Sequence, residues 1–199
     1  MHNIAKVAAA AVLIGLSGCV ATLNPVDVTR FHVGEQGQAI ERGTILVAAG
    51  PNVDAQALEF RSFASAVGRA LQGAGYQEVS SDADAVFIAQ TSFERSIRPA
   101  GAKRSPVSVG VGGSTGRYGG GLGVGIGINL SGKPKDTVDT ELKVAIRRRS
   151  DDAIIWEGRA VLEAKEGTAG AQPGLVAAKL ADTLFRGFPG PSGRTIRVK

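Results

Sequence analysis

The sequence predicts an α+β fold: a mainly antiparallel sheet with two amphipathic helices packed on one face, plus a Gly-rich β-ribbon. Three observations predict it. The elements read as strand, helix, strand, a run of strands, then a helix, the order of a layered α+β domain. Two segments repeat their apolar residues at spacings of three and four, the period of a helix face. Several others alternate with a period of two, the mark of a strand.

The elements follow in order. Residues 20–38 supply a short tether and a first strand, in which Val26, Val28 and Arg30 alternate with Asp27, Thr29 and Phe31. Thr44 to Ala49 is a β-rich apolar run between Gly43 and Gly50 and reads as a buried strand, ended by Pro51-Asn52. Asp54 to Ala74 reads as a helix with Asp54 as N-cap. Its apolar face is Leu58, Phe60, Phe63, Ala64, Val67, Ala70, Leu71 and Ala74, and Gly73 and Gly75 supply the stop. Ala83 to Phe93 is the next strand, apolar on both faces near its start, as a central strand is.

Residues 96–135 differ in kind. Twelve glycines fall between Gly101 and Gly132. Arg98 to Ser105 reads as a basic loop. Beyond it Gly121, Gly123, Gly125 and Gly127 alternate strictly with Leu122, Val124, Ile126 and Ile128, which makes a strand with one apolar face and one of bare backbone.

Two long strands come next, and their register follows from the turn. Val138, Thr140, Leu142, Val144 and Ile146 share a face, as do Ile154, Trp156, Gly158, Ala160 and Leu162. A three-residue turn, Ser150-Asp151-Asp152, then opposes Ile146 with Trp156, Val144 with Gly158 and Leu142 with Ala160. Gly158 leaves room for the indole ring. The outer face carries Glu141, Lys143, Arg147, Glu157, Arg159 and Glu163, opposite charges near each other across the ladder. Leu175 to Phe185 is a second amphipathic helix, ended by Gly187-Phe188-Pro189-Gly190-Pro191. The basic tail, residues 192–199, either frays or adds an edge strand.

Composition limits the function classes. A single cysteine allows no internal disulfide, so the core holds by packing alone. The net charge of +5 and pI of 9.7 suit anionic head groups or cell-wall polymers. Enzyme signals are poor. Of two histidines, His2 lies in the leader and His32 in the first strand with no partner motif, so His32 reads as a surface residue rather than the base of a hydrolase. Asp82, Asp84 and Asp139 read as caps and turns rather than paired catalytic carboxylates. Residues 110–116 lack the Lys-Ser/Thr of a phosphate-binding loop. The expectation is no enzyme, no metal and no cofactor.

The start of the chain carries the strongest signal. Lys6, the apolar run Val7 to Leu16 and small Ser17 and Gly18 make a secretory leader, and the sole cysteine, Cys19, follows at once. The run to Val20 is shorter than the ~20 residues that span a bilayer. Leu16-Ser17-Gly18-Cys19 resembles the lipobox of a bacterial lipoprotein. The resemblance implies cleavage between Gly18 and Cys19, diacylglycerol on the Cys19 sulfur and an acyl chain on its amine. Two or more chains hold a protein stably on a membrane. By resemblance to sorted lipoproteins, in which an Asp at this position retains the protein in the inner membrane, Val20 implies the periplasmic face of the outer membrane of a Gram-negative cell. Domain organisation is then leader 1–18, lipidated tether 19–25, one periplasmic domain 26–191 with a glycine-rich insertion at 99–135, and the tail.

Further phrases carry a family resemblance. They are Gly73-Ala74-Gly75-Tyr76 at a helix end, Asp82 to Ile88 entering a strand, the glycine ribbon, Leu142 to Ile146, Ile154 to Ala160 with its Trp-x-Gly-x-Ala pattern, and the closing Phe188-Pro189. With the lipobox, this resembles the bacterial lipoproteins catalogued as domain of unknown function 4136, over roughly residues 27–190. The family's aromatic-rich strand before the helix is here Thr44 to Ala49, without an aromatic. The resemblance implies a compartment and a fold rather than a mechanism. Function is therefore expected to be that of a non-enzymatic accessory or binding module of the cell envelope, with an envelope protein as partner and no nucleic acid. The alternative is a self-assembling structural component pairing through the ribbon. Leu122, Val124, Ile126 and Ile128 are the candidate contacts to a partner strand or membrane, against the plainer reading of a flexible hairpin.

Overall fold

The structure is a computed structural model, and it describes residues 24–34, 39–101 and 135–199, with the backbone of 107–113 and 122–128. Gly18 and Cys19 lie outside the described residues.

The chain runs β1 (Val26–His32), β2 (Thr44–Ala49), α1 (Leu58–Gly73), β3 (Gln77–Glu78), β4 (Phe87–Arg98), β5 (Val107–Gly113), β6 (Leu122–Ile128), β7 (Thr137–Arg148), β8 (Ile154–Lys165), α2 (Pro173–Phe185) and β9 (Thr195–Val198). Seven strands form one sheet in the order β3-β2-β4-β7-β8-β1-β9, while β5 and β6 pair separately.

The expected mainly antiparallel sheet is corrected to a mixed one. Strand β2 runs parallel to both its neighbours, β3 and β4, whereas β4–β7, β7–β8, β8–β1 and β1–β9 are antiparallel. The cause is the connection. Helix α1 carries the chain back to the end where β2 began, so the strand after it must run the same way.

The α1 start also differs from expectation. Ala57, not Asp54, sits at the N-cap, and no side chain caps it. Asp54 instead accepts the Gln56 N–H at 2.8 Å and closes the turn before the helix. Residues Asp82–Asp84 form a 3-10 turn rather than the start of a strand, and β4 runs on to Arg98.

The β7–β8 register is the expected one: Leu142 opposes Ala160, Val144 opposes Gly158 and Ile146 opposes Trp156. A bulge beyond Ile146 then sets Arg147 against Ile154. The alternation buries Val138, Leu142, Val144 and Ile146 with Trp156, Ala160 and Leu162 under the helices. The apolar faces of α1 (Phe63, Val67, Leu71) and α2 (Val176, Leu180, Leu184) join them in one core. Phe63 stacks on Phe93 at 4.5 Å, fixing α1 over β4. Trp156 stacks on Phe185 at 5.0 Å, fixing α2 over β8. Of the two readings of the tail, the structure takes the edge strand, with β9 hydrogen-bonded to β1.

Candidate functional site

Both helices cover one face of the sheet, and the other face stays open. Strand alternation sends every second side chain there, and the registers line them up in rows. One row is Gln90, Ala145, Glu157 and Phe31, and the next is Ser92, Lys143, Arg159, Thr29 and Thr195. These rows floor a concavity of about 560 Å³, walled on one side by Gly50 and Pro51 and on the other by Thr195. Gly50 shapes that wall. Its N–H donates to Thr91 O at 2.8 Å, and a Cβ there would sit 3.3 Å from the Ser92 Cβ.

The floor is mixed: Phe31 and Ala145 are apolar, and the other members of both rows are polar. Phe31 points out of the sheet and is 53 % exposed, unlike the two valines of β1, Val26 and Val28, which are fully buried. Burying one such ring against a partner is favourable by ~1.5–3 kcal/mol, and nothing in the described residues does so. Glu141, at the rim, lies 2.6 Å from Arg159 and 2.5 Å from Lys143, which fixes both cations along the trough. Gln90, Ser92, Thr29 and Thr195 supply hydroxyl and amide groups of both hydrogen-bonding senses. The arrangement can hold an extended, mixed polar and apolar segment.

The back of the site is rigid. Arg30 is nearly fully buried, 3 % exposed, directly under the floor. Its guanidinium donates to the carbonyls of Leu184, Thr183 and Arg186 at 2.8, 3.0 and 3.1 Å, the free C-terminal acceptors of α2. Burial lowers the Arg30 pKa from its usual value. Gly190 adopts a left-handed conformation against it, where a Cβ would meet the guanidinium at 2.4 Å. The Trp156 indole N–H donates to Pro189 O at 3.1 Å, tying the same segment down. Tyr76 adds its hydroxyl, donated to Glu41 O at 3.0 Å, and burial pushes its pKa up to about 12.

The residues singled out from the sequence are scattered. His32 places its ring nitrogens against Val33 O and Gly190 O at 3.2 and 3.1 Å, both backbone acceptors. Asp82 pairs with Arg149 at one end of β4, and Asp139 pairs with Arg98 at the other. Hydrogen bonding to Asp139 raises the Arg98 pKa further. Among the described residues no group of three or more His, Cys, Asp or Glu is placed to hold a metal, and no helix is long and apolar enough to cross a membrane. Leu122, Val124, Ile126 and Ile128 lie on β6, paired through the backbone with β5. The open trough was visible in the sequence only as the polar half of each strand's alternation. Phe31, an aromatic on the polar side of β1, was its one local signal.

No family model matches the chain. The uncharacterized protein ZMO1243 of Zymomonas mobilis is 44 % identical over 62 residues, which is 31 % of this chain and 23 % of that protein. The chain thus spans about a quarter of the length of that curated relative. Among solved structures, a PDZ domain protein from Parabacteroides distasonis superposes with a TM-score of 0.51 at 11 % identity, covering 96 % of this chain and 42 % of that one. This is a likeness of fold. A PelC dodecamer from Paraburkholderia phytofirmans gives a TM-score of 0.42 at 12 % identity, covering 79 % of this chain and 93 % of that one.

Proposed function

We propose that the protein is a lipid-anchored accessory module of the outer membrane, facing the periplasm, that binds an envelope partner and performs no chemistry of its own. The observation that carries the binding role is the open trough, with Phe31 standing 53 % exposed among fixed polar groups. The anchor rests on Leu16-Ser17-Gly18-Cys19 after a basic and apolar leader. The resemblance to domain of unknown function 4136 supports the same compartment.

The two halves are tested separately. Cys19→Ser should abolish palmitate labelling and release the protein from the membrane fraction. Label retained by the variant sinks the anchor. A photo-crosslinking residue at Phe31 in live cells should give one dominant protein adduct, and its absence removes the trough as the binding surface.

A further inference from the structure

The charges on the open face of the sheet fall in bands. The two rows that floor the trough are flanked by two more. Before the Phe31 row come Ile88, Arg147 and Ile154, and beyond the Thr29 row come Glu94, Glu141, Val161, Asp27 and Arg197. Taken along β4, β7 and β8, the sign alternates from row to row. Arg147 is positive, Glu157 negative, Lys143 and Arg159 positive, Glu94 and Glu141 negative. Neighbouring bands are two residues apart, ~7 Å. At the edge Asp27 and Arg197 pair with each other at 3.2 Å.

Some of these charges are poorly served within the chain. Glu141 takes both Lys143 and Arg159, at 2.5 and 2.6 Å. Arg147 reaches Asp152 only at 3.4 Å, the loosest ion pair of the face. Glu94 and Glu157 have no ion pair among the described residues. Glu94 stands directly opposite Glu141, so two carboxylates lie side by side. An occupant of a single sign matches alternating bands badly, because half of them repel it. The fitting occupant carries the same bands shifted by one row.

This face itself is such an occupant. Consider a two-fold axis lying across the strands, midway between the Phe31 row and the Thr29 row. It sets each strand over its own copy, running the other way, and exchanges the rows in pairs. Glu157 then faces Arg159 of the second copy, with Lys143 beside it. Arg147 faces Glu141 of the second copy, with Glu94 beside it. Ile154 faces Val161. Each contact occurs twice. A two-fold axis along the strands between β7 and β8 would instead set Lys143 against Arg159, cation on cation. The charge pattern therefore selects one of the two.

Shape agrees. Strand β9 covers β1 only from Val26 to Thr29, so the sheet is one strand narrower beside Phe31. The Thr195 wall of one copy meets that open space in the other. The Gly50–Pro51 wall, level with Ser92, meets Ala48, a small side chain next to Gln90. Four rows on five strands cover roughly 27 by 24 Å, about 650 Å² of flat sheet. Side-chain relief carries this toward the ~800 Å² per partner of a standard interface. Two sheets stacked with strands nearly aligned are an ordinary packing.

We infer that the open face is an interface between two copies of this chain, packed face to face about that axis, with Glu157 on Arg159 and Arg147 on Glu141. The inference rests on the reading of the trough as a binding surface and names its occupant.

Charge exchange tests it. Two copies of the full chain with different affinity tags, co-expressed and extracted in mild detergent, should co-purify. Glu157→Arg in both copies sets cation against cation at two points and should cut co-purification by at least ~10-fold. Arg159→Glu in both copies sets acid against acid and should do the same. Glu157→Arg in one copy with Arg159→Glu in the other restores opposite charges at both points, and co-purification should return. Both side chains are exposed, and Trp156 fluorescence reports an intact core in each variant. An interface built elsewhere, the glycine-rich insertion included, would not show this exchange. Wild-type copies that fail to co-purify, co-purification that survives either exchange made in both copies, or a mixed pair that stays apart would each overturn the inference. Photo-crosslinking from Phe31 should give an adduct to a second copy. An adduct to a different protein, without co-purification of copies, removes the second copy and leaves the trough as a binding surface; no adduct removes both.

Discussion

Gly158→Ala is the sharpest probe of the core. In a strand interior this exchange is ordinarily neutral or favourable by ~0.4–1 kcal/mol, because alanine loses less backbone freedom on folding. Gly158 has no left-handed backbone to make it strained. Here the packing reverses the sign. A Cβ would sit 2.2 Å from Trp156 Cη2 and 2.8 Å from Leu184 Cδ1, where carbon pairs need ~3.5–4.0 Å. The indole must move more than ~1 Å, and it is held on every side. It stacks on Phe185 at 5.0 Å and Phe188 at 5.3 Å, and donates to Pro189 O at 3.1 Å. Overpacking costs ~1–3 kcal/mol, and a strained hydrogen bond adds ~1 kcal/mol. The expected loss is ~2–4 kcal/mol, or a Tm lower by ~4–16 °C for a domain of this size. Urea unfolding followed by fluorescence reads it directly, since Trp156 is the one tryptophan. The companion variant Trp156→Phe with Gly158→Ala, followed by circular dichroism, should lose less than the sum of the singles. A Gly158→Ala protein as stable as wild type, or strict additivity, refutes the packing account.

Two further outcomes follow from buried polar groups of the domain. Arg30→Met keeps most of the volume but strips the donors from the Thr183, Leu184 and Arg186 carbonyls, and should cost ~2–4 kcal/mol in urea unfolding. A loss under ~1 kcal/mol would mean that water serves those acceptors equally well. Burial, its largest cause, raises the Tyr76 pKa from 10.0 to about 12, so the folded state holds this proton more tightly. Its contribution is complete below the unfolded pKa and declines as pH rises through the window up to the folded one, by as much as ~1.4 kcal/mol per unit. The stability gap between wild type and Tyr76→Phe should therefore narrow from about pH 9 to about pH 11, and a constant gap would count against the burial argument.

What the sequence could reveal was local. The β7–β8 register was legible because a three-residue turn and two in-phase alternations leave a single pairing with core against core. The core face of α1 was legible from Phe63, Val67 and Leu71 at helical spacing. Its cap was not, since Asp54 serves a turn as well as it would serve a helix, and only the path of residues 54–57 decides. Sheet order was beyond reach. Strand β1 lies between β8 and β9, partners more than a hundred residues away, and no local pattern encodes that choice. The direction of β2 was readable in principle from strand–helix–strand, but the antiparallel strands that follow outweighed it. Arg30 shows the same limit at the site. Its alternation placed it inward, yet an inward arginine makes sense only once the carboxyl end of α2 arrives from residues 183–186 to meet it.

Charge makes the point in its most general form. A pI of 9.7 describes a chain average, and an average suggests a uniformly basic surface. The domain is not one. Arg98, Lys143, Arg147, Arg148, Arg149, Arg159 and Arg197 each lie within 2.5 to 3.4 Å of a carboxylate oxygen. Such exposed pairs contribute little stability each, ~0–1 kcal/mol, but they cancel the long-range field of the cations they hold. The net excess lies in residues 99–135, which hold five cations and no acidic residue. The pI of 9.7 therefore describes residues 99–135 more than the sheet that holds the trough.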